Sequence, residues 1–264
     1  MNPRFVTFLT DFGTADYFAG ACEGALLTVC PSARVFAISH EIPPQDIECA
    51  AFTLLAAHTA WPRGAIHVAV VDPGVGSARR ALLIEAGGYY FVGPDNGLFS
   101  YIYERHAQAR ARHVTNQTYF RHPVSPSFHG RDVFSPVAGA LACGVAPAAF
   151  GPEITDFVRL APLAPQQNAA GELISRVIHI DRFGNCVTGL TPQDVSAEQL
   201  ARGFRLVLAG REITRCHNFL AAGADGEPFA IWGSAGFLEV SLHCASAAAK
   251  LGIRRETEVR LIYT

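Results

Sequence analysis

The chain has 264 residues, of which 50% are hydrophobic and 17% are charged, and its formal net charge at pH 7 is -2. This length allows one large domain or two ordinary ones, each with a substantial hydrophobic core. The near-neutral charge and the scattered arginines lack the basic footprint of a nucleic-acid-binding protein, so no nucleic-acid partner is expected.

In the first half of the chain, short apolar runs alternate with helical patterns, which predicts a mostly parallel sheet flanked by helices. The predicted strands are residues 4–9, 34–39, 65–71, 81–86 and 89–94. The predicted helices are residues 17–29, 46–60 and 131–143, with a further helix that begins just after Gly97. The basic segment 105–112 is predicted to be the solvated end of that further helix.

The composition changes after about residue 157. Residues 161–171 are rich in proline, alanine and amide side chains, which is typical of an interdomain linker. Beyond them lie short strand patterns separated by turn residues, which predict a small antiparallel β-barrel or sandwich of about 90 residues. The predicted organisation is therefore an N-terminal α/β domain at 1–160, a linker at 161–171 and a C-terminal β-barrel domain at 172–264.

The seven cysteines are odd in number, widely spaced and without a C-x-x-C pair. They are predicted to be free, mostly buried thiols of a reducing compartment. The N-terminal sequence has no basic segment followed by a long apolar stretch, and no apolar run reaches the roughly 20 residues of a membrane span. We therefore expect a soluble, cytoplasmic protein without a membrane partner.

Four stretches place reactive side chains beside glycine or proline: "LTDFGTAD" (9–16), "VVDPGVGSARR" (70–80), "GPDNG" (93–97) and "FHGRD" (128–132). The first three follow predicted strands in the same sense. In an open α/β sheet, ligands bind beyond the carboxyl ends of the strands, so these loops are expected to share one rim. Asp72 has two interpretations: part of a reaction site with a following arginine, or one half of an ordinary salt bridge at a strand exit.

The other candidates also have two interpretations each. Asp11 either caps the following helix or accepts hydrogen bonds from ribose hydroxyls, and Asp16 suits an N-cap of the helix at 17–29. Asn96 belongs to a sequence that by itself forms a turn. His129 is either a structural histidine or a catalyst, and Gly130 permits close approach of a ligand to the backbone. A metal site built from His129, Asp132 and Asp72 has no supporting metal-ligand spacing.

In the second half, "FGN" places Phe183 and Asn185 at a predicted hairpin turn. The turn either packs the phenylalanine against the barrel or offers an aromatic face and an amide to a planar heterocycle. Ser234 and Glu239 accompany a second glycine-containing turn, and Phe219 is a further candidate for substrate binding.

Taken together, "LTDFG", "VVDPGVGSARR", "GPDNG", "FHGRD" and "FGN" resemble the motifs of the S-adenosyl-L-methionine (SAM) hydrolases that form adenosine, in the same order and over nearly the whole chain. Relatives of this family are the SAM-dependent fluorinases and chlorinases. The resemblance implies an N-terminal α/β domain, a C-terminal β-barrel and a homotrimer. It also implies that SAM is the substrate, bound between the N-domain of one subunit and the C-domain of its neighbour, without a metal or another cofactor.

The resemblance also assigns roles to individual residues. It implies a catalytic set of Asp72, Arg79 and His129, with Arg80 left as the alternative arginine. It implies substrate binding, with ribose at Asp11, the methionine end near Asp16, and adenine at Phe183 and Asn185. The whole set of candidate substrate-binding residues is Asp11, Asp16, Asn96, Gly130, Phe183, Asn185, Phe219, Ser234 and Glu239.

The same resemblance separates hydrolases from halogenases. The halogenases carry tyrosine where this chain has Asp72 and His129, and tryptophan where it has Gln45. A carboxylate would repel a halide in a dry site, so Asp72 favours water as the nucleophile. His243 stands where the family often has asparagine. The predicted reaction is hydrolysis of SAM to adenosine and L-methionine, and the alternatives are a halogenase or a SAM- or adenosine-binding sensor without turnover.

Overall fold

The computed structural model describes residues 4–223 and 226–263. By its internal contacts the chain divides into two compact units, Met1–Pro162 and Leu163–Thr264. The first unit contains the strands β1 (Phe5–Thr10), β2 (Arg34–Ser39), β3 (Ile66–Val70), β4 (Ala81–Ala86), β5 (Tyr89–Pro94), β6 (Arg110–His113) and β7 (Glu153–Ile154). Its α-helices are α1 (Phe18–Val29), α2 (Ile47–Ala57), α3 (Ser100–Arg105) and α4 (Ser135–Ala142). Short 3₁₀ turns lie at His58–Ala60, Gln117–Tyr119 and Pro147–Ala149, and a π-helical turn, Gly130–Phe134, leads into α4.

The seven strands form one sheet in the order β2-β1-β3-β5-β4-β6-β7. Strands β2, β1, β3 and β5 are parallel, and β4, β6 and β7 are added by antiparallel pairing. Strand β3 is buried on both faces: Val68 and Val70 pack in the cluster of α1 and α4, whereas Ala69 packs in the cluster of α2 and α3. This explains its continuous apolar sequence and confirms the predicted parallel sheet between helical layers.

The second unit is built almost entirely from β-strands. They are β8 (Gln166–Gln167), β9 (Leu173–Ile180), β10 (Cys186–Thr188), β11 (Phe204–Leu208), β12 (Arg211–Ile213), β13 (Cys216–His217), β14 (Phe229–Trp232), β15 (Leu238–Ser241) and β16 (Glu258–Tyr263). Two short helices, α5 (Ala197–Arg202) and α6 (Ala247–Leu251), and a 3₁₀ turn, Leu220–Gly223, accompany them. The sheet follows the path β12-β11-β16-β9-β10-β15-β14-β13 and curls into a half-barrel, and β8 pairs with β9. Pairing is antiparallel except between β13 and β14.

Two predictions about local structure are wrong. The basic segment 105–112 is not the end of a helix, because α3 ends at Arg105 and β6 follows. Within β6, Ala111 is buried while Arg110 and Arg112 form ion pairs with Glu85, and Arg112 also pairs with Glu153. A strand whose outward residues are paired arginines has few apolar residues, so its sequence resembles a solvated helix.

The prediction that every cysteine is a free thiol also fails. Cys30 and Cys143 form a disulfide across a sequence separation of 113 residues. They lie at the C-terminal ends of α1 and α4, which pack closely because Gly139 faces the carbonyl oxygen of Leu26. The pairing depends on this long-range contact between helices, which cysteine spacing does not reveal. The free cysteines in the described part of the chain are Cys22, Cys49, Cys186, Cys216 and Cys244.

Candidate active site

The candidate active site lies at the carboxyl ends of β1 and β3, which are adjacent and parallel. Asp11 comes directly after β1, and Asp72 is the second residue after the end of β3. The loop that precedes the π-helical turn contributes His129 to the same rim. A cleft of about 230 Å³ opens there, lined in part by Asp11, Gln45, Asp72, His129 and Gly130.

Asp72, Arg79 and His129 form one hydrogen-bonded set. Nε of Arg79 donates to Oδ1 of Asp72 at 2.9 Å, and Nη2 donates to Oδ2 of the same carboxylate. Nη2 of Arg79 also lies 2.8 Å from Nδ1 of His129. The exposed fractions of the Arg79 and Asp72 side chains are 10% and 5%, so the ion pair is largely removed from water.

The glycine-rich turn between the two charged residues explains how Arg79 returns to Asp72. The amide of Val75 donates to the carbonyl oxygen of Asp72, which starts the turn. Gly76 has φ of +79°, and a Cβ atom there would lie 2.2 Å from the carbonyl oxygen of Pro126. Only glycine suits this position, because the backbone conformation and the close approach both exclude a side chain. Gly76 therefore holds the turn against the loop that carries His129.

The contacts of His129 identify its tautomer. A guanidinium nitrogen can only donate, so Nδ1 of His129 accepts from Arg79 and the proton of the neutral ring is on Nε2. Burial lowers the pKa of His129 below its usual 6.5, and the charge of Arg79 lowers it further, although Asp72 and Asp132 oppose this. Neutral His129 can therefore donate a hydrogen bond from Nε2 while Nδ1 is occupied.

The neighbouring Arg80 has a different set of partners. Its Nε donates to Oδ2 of Asp95 at 2.8 Å, and its two terminal nitrogens donate to the side chain and the backbone carbonyl of Asp156. Asp95 in turn accepts from the amide of Val158. The structure thus brings Arg79, and not Arg80, to Asp72 and His129.

Asp11 is held by the segment that precedes α2. Its Oδ2 accepts from the backbone amide of Gln45 at 2.8 Å, and Gln45 adopts a left-handed backbone with φ of +66°. Asp11 therefore does not cap α1, which has Tyr17 as its N-cap residue. Gln45 lines the cleft although it is outside the predicted set of site residues; its signals in the sequence are its alignment with the tryptophan of the halogenases and its position directly before the N-cap Asp46.

Asp132 organises the loop that carries His129. Its side chain is fully buried and accepts hydrogen bonds from the guanidinium groups of Arg131 and Arg121 and from the amide of Ser125. Burial alone would raise the pKa of this carboxyl, but the hydrogen bonds from Arg131 and its other donors hold it below the usual value. Asp132 thus fixes the backbone of Ser125 and the side chains of Arg121 and Arg131 beside His129. The described residues contain no group of three or more His, Cys, Asp or Glu that could hold a metal ion.

Two further candidates of the first unit do not line the cleft. Nδ2 of Asn96 donates to the carbonyl oxygen of Val71, and Oδ1 accepts from the amide of Leu98. Asn96 thus fastens the residue directly before Asp72. Asp16 is exposed, and the alternative that it caps α1 is wrong because Tyr17 occupies the N-cap position without a side-chain hydrogen bond.

In the second unit, Phe183 and Asn185 line a cavity of about 660 Å³ together with Leu220 and His243. The Asp181 carboxylate shapes this turn: Oδ1 accepts from the amides of Phe183 and Asn185, and Oδ2 accepts from Nδ2 of Asn185. The Phe183 side chain is 77% exposed, so its ring is available to another flat surface. An apolar cavity with one exposed aromatic ring and an amide suits a planar heterocycle.

The remaining candidates of the second unit are not among the residues that line this cavity. Phe219 is exposed and precedes the lining residue Leu220. Ser234 is exposed in the turn after β14. Glu239 lies on β15, and its Oε1 is so close to Gly233 that a Cβ atom there would lie 1.7 Å from it. Burial, and to a smaller extent the charge of Asp181, raises the pKa of Glu239 to about 7.

Comparison with known proteins identifies the family. Residues 6–151 match the SAM hydroxide adenosyltransferase N-terminal domain, and residues 175–260 match the C-terminal domain of the same family. The chain therefore belongs to the SAM hydroxide adenosyltransferase family.

Individual relatives match along almost the whole chain. An "(R)-S-adenosyl-L-methionine hydrolase" of Thermus thermophilus is 36% identical and covers 98% of this chain and 100% of its own. A Salinispora tropica protein of the same name is 36% identical over 97% of each chain. A crystal structure of an uncharacterized conserved protein from Thermotoga maritima superimposes with a TM-score of 0.88 and 28% identity, and covers 97% of this chain and 99% of its own.

Proposed function

We propose that this chain is an enzyme that hydrolyses S-adenosyl-L-methionine to adenosine and L-methionine. The observation that carries the proposal is the buried Asp72–Arg79–His129 set beside the cleft that Asp11 also lines. The names of the full-length relatives support the same substrate. Asp72 and His129 stand where the halogenase pattern has tyrosines, so hydrolysis is favoured over halide transfer.

In the proposed reaction, a water molecule attacks C5′ of the ribose while the C5′–S bond breaks. The bonding electron pair passes to sulfur, which leaves as the neutral thioether of methionine, and the water loses one proton. The sulfonium is already a good leaving group, so the enzyme has to supply an activated and aligned nucleophile.

The hydrogen bonds support a different proposed role for each of the three catalytic residues. Nδ1 of His129 is occupied by Arg79, so Asp72, whose oxygens keep further lone pairs, is the proposed acceptor of the proton. Nε2–H of His129 is the proposed donor that orients the water. The guanidinium of Arg79 stabilises the negative charge of the hydroxide as it forms.

The proposed substrate contacts follow from the two cavities. Oδ2 of Asp11 is engaged by Gln45, which leaves Oδ1 for a ribose hydroxyl. Gly130, which lines the cleft, is the proposed point of close backbone approach to the substrate, and Phe183 and Asn185 are the proposed contacts of the adenine. Contacts from Asp16, Asn96, Phe219, Ser234 and Glu239 stay part of the proposal, and a nucleoside-bound crystal structure tests each of them.

The test is incubation of the purified protein with SAM in water enriched in oxygen-18, followed by mass spectrometry of the products. We expect equimolar adenosine and methionine, with oxygen-18 in the 5′-hydroxyl of adenosine. Asp72→Ala should abolish turnover and retain SAM binding, whereas the control Asp156→Asn, which removes an exposed carboxylate, should keep wild-type turnover. A halogenated nucleoside as main product with excess chloride or fluoride would replace the proposal by a halogenase, and tight adenosine binding without turnover would replace it by a sensor.

The proposed assembly is a homotrimer, and the proposed location is the cytoplasm. If the nucleoside contacts Asp72 from one subunit and Phe183 from its neighbour, a mixture of the inactive variants Asp72→Ala and Phe183→Ala should regain part of the activity after subunit exchange. Sedimentation of the wild type measures the assembly directly. A monomeric species that is fully active would contradict this part of the proposal.

A further inference from the structure

Besides the substrate cleft, the first unit has a second cavity, which borders the proposed catalytic set at Arg79 and His129. It has a volume of about 330 Å³, and its lining residues include Arg79, His113, Gln117, His122 and His129. His129 lines both this cavity and the substrate cleft, whereas Arg79 is absent from the lining of the cleft. No Asp or Glu is among the described residues that line the second cavity. Its polar lining therefore consists of a guanidinium, three imidazoles and an amide.

The hydrogen bonds of Arg79 leave part of its guanidinium available. Nε and Nη2 are used by Asp72 and His129. Nη1 has no hydrogen-bond partner among the residues that the structure describes, although nine-tenths of the side chain is buried. Among the described residues, Nη1 is not one of the buried polar atoms that lack a partner, so its donors reach solvent and bind an acceptor, either water or an anion. Since Arg79 borders the second cavity, the acceptor is expected there.

The two outer histidines come from different elements. His113 is the last residue of β6, and its imidazole makes no hydrogen bond to any other described residue. His122 lies in the loop after the 3₁₀ turn Gln117–Tyr119, and its Nε2 is 3.0 Å from the carbonyl oxygen of Gln117. Because a carbonyl only accepts, Nε2 of His122 carries a proton, and the position of the ring is fixed. Both rings thus line the same cavity as Arg79.

We propose that this cavity is a binding site for a small oxyanion, either a carboxylate or a phosphate group, held by the guanidinium of Arg79, by the imidazole of His113 and by Nδ1–H of His122 in its imidazolium form. Guanidinium groups favour planar or tetrahedral oxyanions because their donors match two oxygens at once. The volume is at the lower end of ordinary ligand sites and holds an anion larger than a single water molecule.

Occupation of this site should weaken catalysis, and this part rests on the proposed function. The bound anion competes with Asp72 for the charge of Arg79 and draws the guanidinium away from His129. It does not compete with SAM, because Asp11 and Gln45 line only the cleft. The expected effect is therefore a lower kcat at an unchanged KM for SAM.

Binding is tested on the whole wild-type protein with histidines labelled with carbon-13, at pH 6.5 and constant ionic strength. Inorganic phosphate and then acetate are titrated against sodium chloride, and the imidazole signals are followed by NMR. We expect saturable shifts at His113 and His122 with one or both oxyanions, and no shift at the control His217 of the second unit. Saturable shifts with only phosphate or only acetate would identify which oxyanion the site binds. Equal shifts with chloride, or none with either oxyanion, would overturn the proposal.

Variants and kinetics complete the test. His113→Gln and His122→Gln should each weaken binding about tenfold while the folded spectrum is kept, and His217→Gln should leave it unchanged. In turnover assays, phosphate or acetate should lower kcat of the wild type but not of the double variant His113→Gln/His122→Gln. An anion that raises KM at constant kcat binds in the cleft, which would contradict the proposal. If SAM is not turned over at all, the NMR titration still decides whether the site exists.

Discussion

Replacement of Asp72 by asparagine separates the structural role of the buried ion pair from its proposed chemical role. Asp72→Asn keeps the shape of the side chain but removes the charge opposite Arg79, whose exposed fraction is only 10%. Loss of one partner of a buried pair typically costs about 3–5 kcal/mol of unfolding free energy, since the remaining charge is buried without compensation. At about 2–4 °C per kcal/mol for a domain of this size, the melting temperature should fall by about 10 °C. Turnover of SAM should be lost.

The double variant Asp72→Asn/Arg79→Met makes this experiment decisive. Removal of both charges leaves no uncompensated ion, so stability should return to near the wild-type value while activity stays lost. Stability is measured by denaturant unfolding and activity by adenosine release, with Asp156→Asn as the exposed control. An Asp72→Asn variant with wild-type stability and wild-type turnover would refute both the burial argument and the proposed role of the carboxylate.

Three further predictions concern binding, the disulfide and pH. Asp11→Ala should raise KM for SAM about tenfold with a smaller change in kcat, because the ribose hydrogen bonds and the hydrogen bond that holds Gln45 at the cleft are lost. Steady-state kinetics measures both constants, and a change confined to kcat would contradict the prediction. Cys143→Ser should lower the unfolding free energy by about 2–4 kcal/mol, because the disulfide that closes a 113-residue loop is lost. A reductant should lower the unfolding free energy of the wild type by the same amount and leave that of the variant unchanged. Burial lowers the pKa of His67 to about 3, against about 6.5 in an unfolded chain. Its contribution to stability is therefore full above pH 6.5 and is lost as the pH falls toward 3, at up to about 1 kcal/mol per pH unit. In urea unfolding, the unfolding free energy of His67→Asn should fall less steeply with decreasing pH than that of the wild type.

Much of the sheet could be predicted because local and tertiary preferences agree there. Strands β2, β4 and β5 begin and end at the predicted residues, since continuous apolar runs bounded by turn residues leave little ambiguity. Strand β6 was missed because it lies next to the sheet edge, where its arginines pair with acidic residues of neighbouring strands. Such a strand depends on partners that are distant in sequence.

For the candidate site, the sequence predicts which motifs share a rim but not which contacts their side chains make. The position of Asp72 at the end of a buried strand follows from the sequence, whereas the choice between Arg79 and Arg80 depends on Asp95 and Asp156, which are remote in the chain. The role of Asn96 depends in the same way on the backbone of Val71. Which partner a polar side chain finds is decided by the assembled backbone.

The adjacent arginines make the length of the 73–78 turn a strict requirement. Arg79 reaches back to Asp72, while Arg80, one residue later, reaches the opposite way to Asp95 and Asp156. Deletion of one residue from the turn would bring Arg80 to Asp72 but leave Asp95 facing an alanine, and would reverse the face of every side chain in β4. Outside Gly76, substitutions are therefore expected to accumulate in this turn far more readily than insertions or deletions of any length.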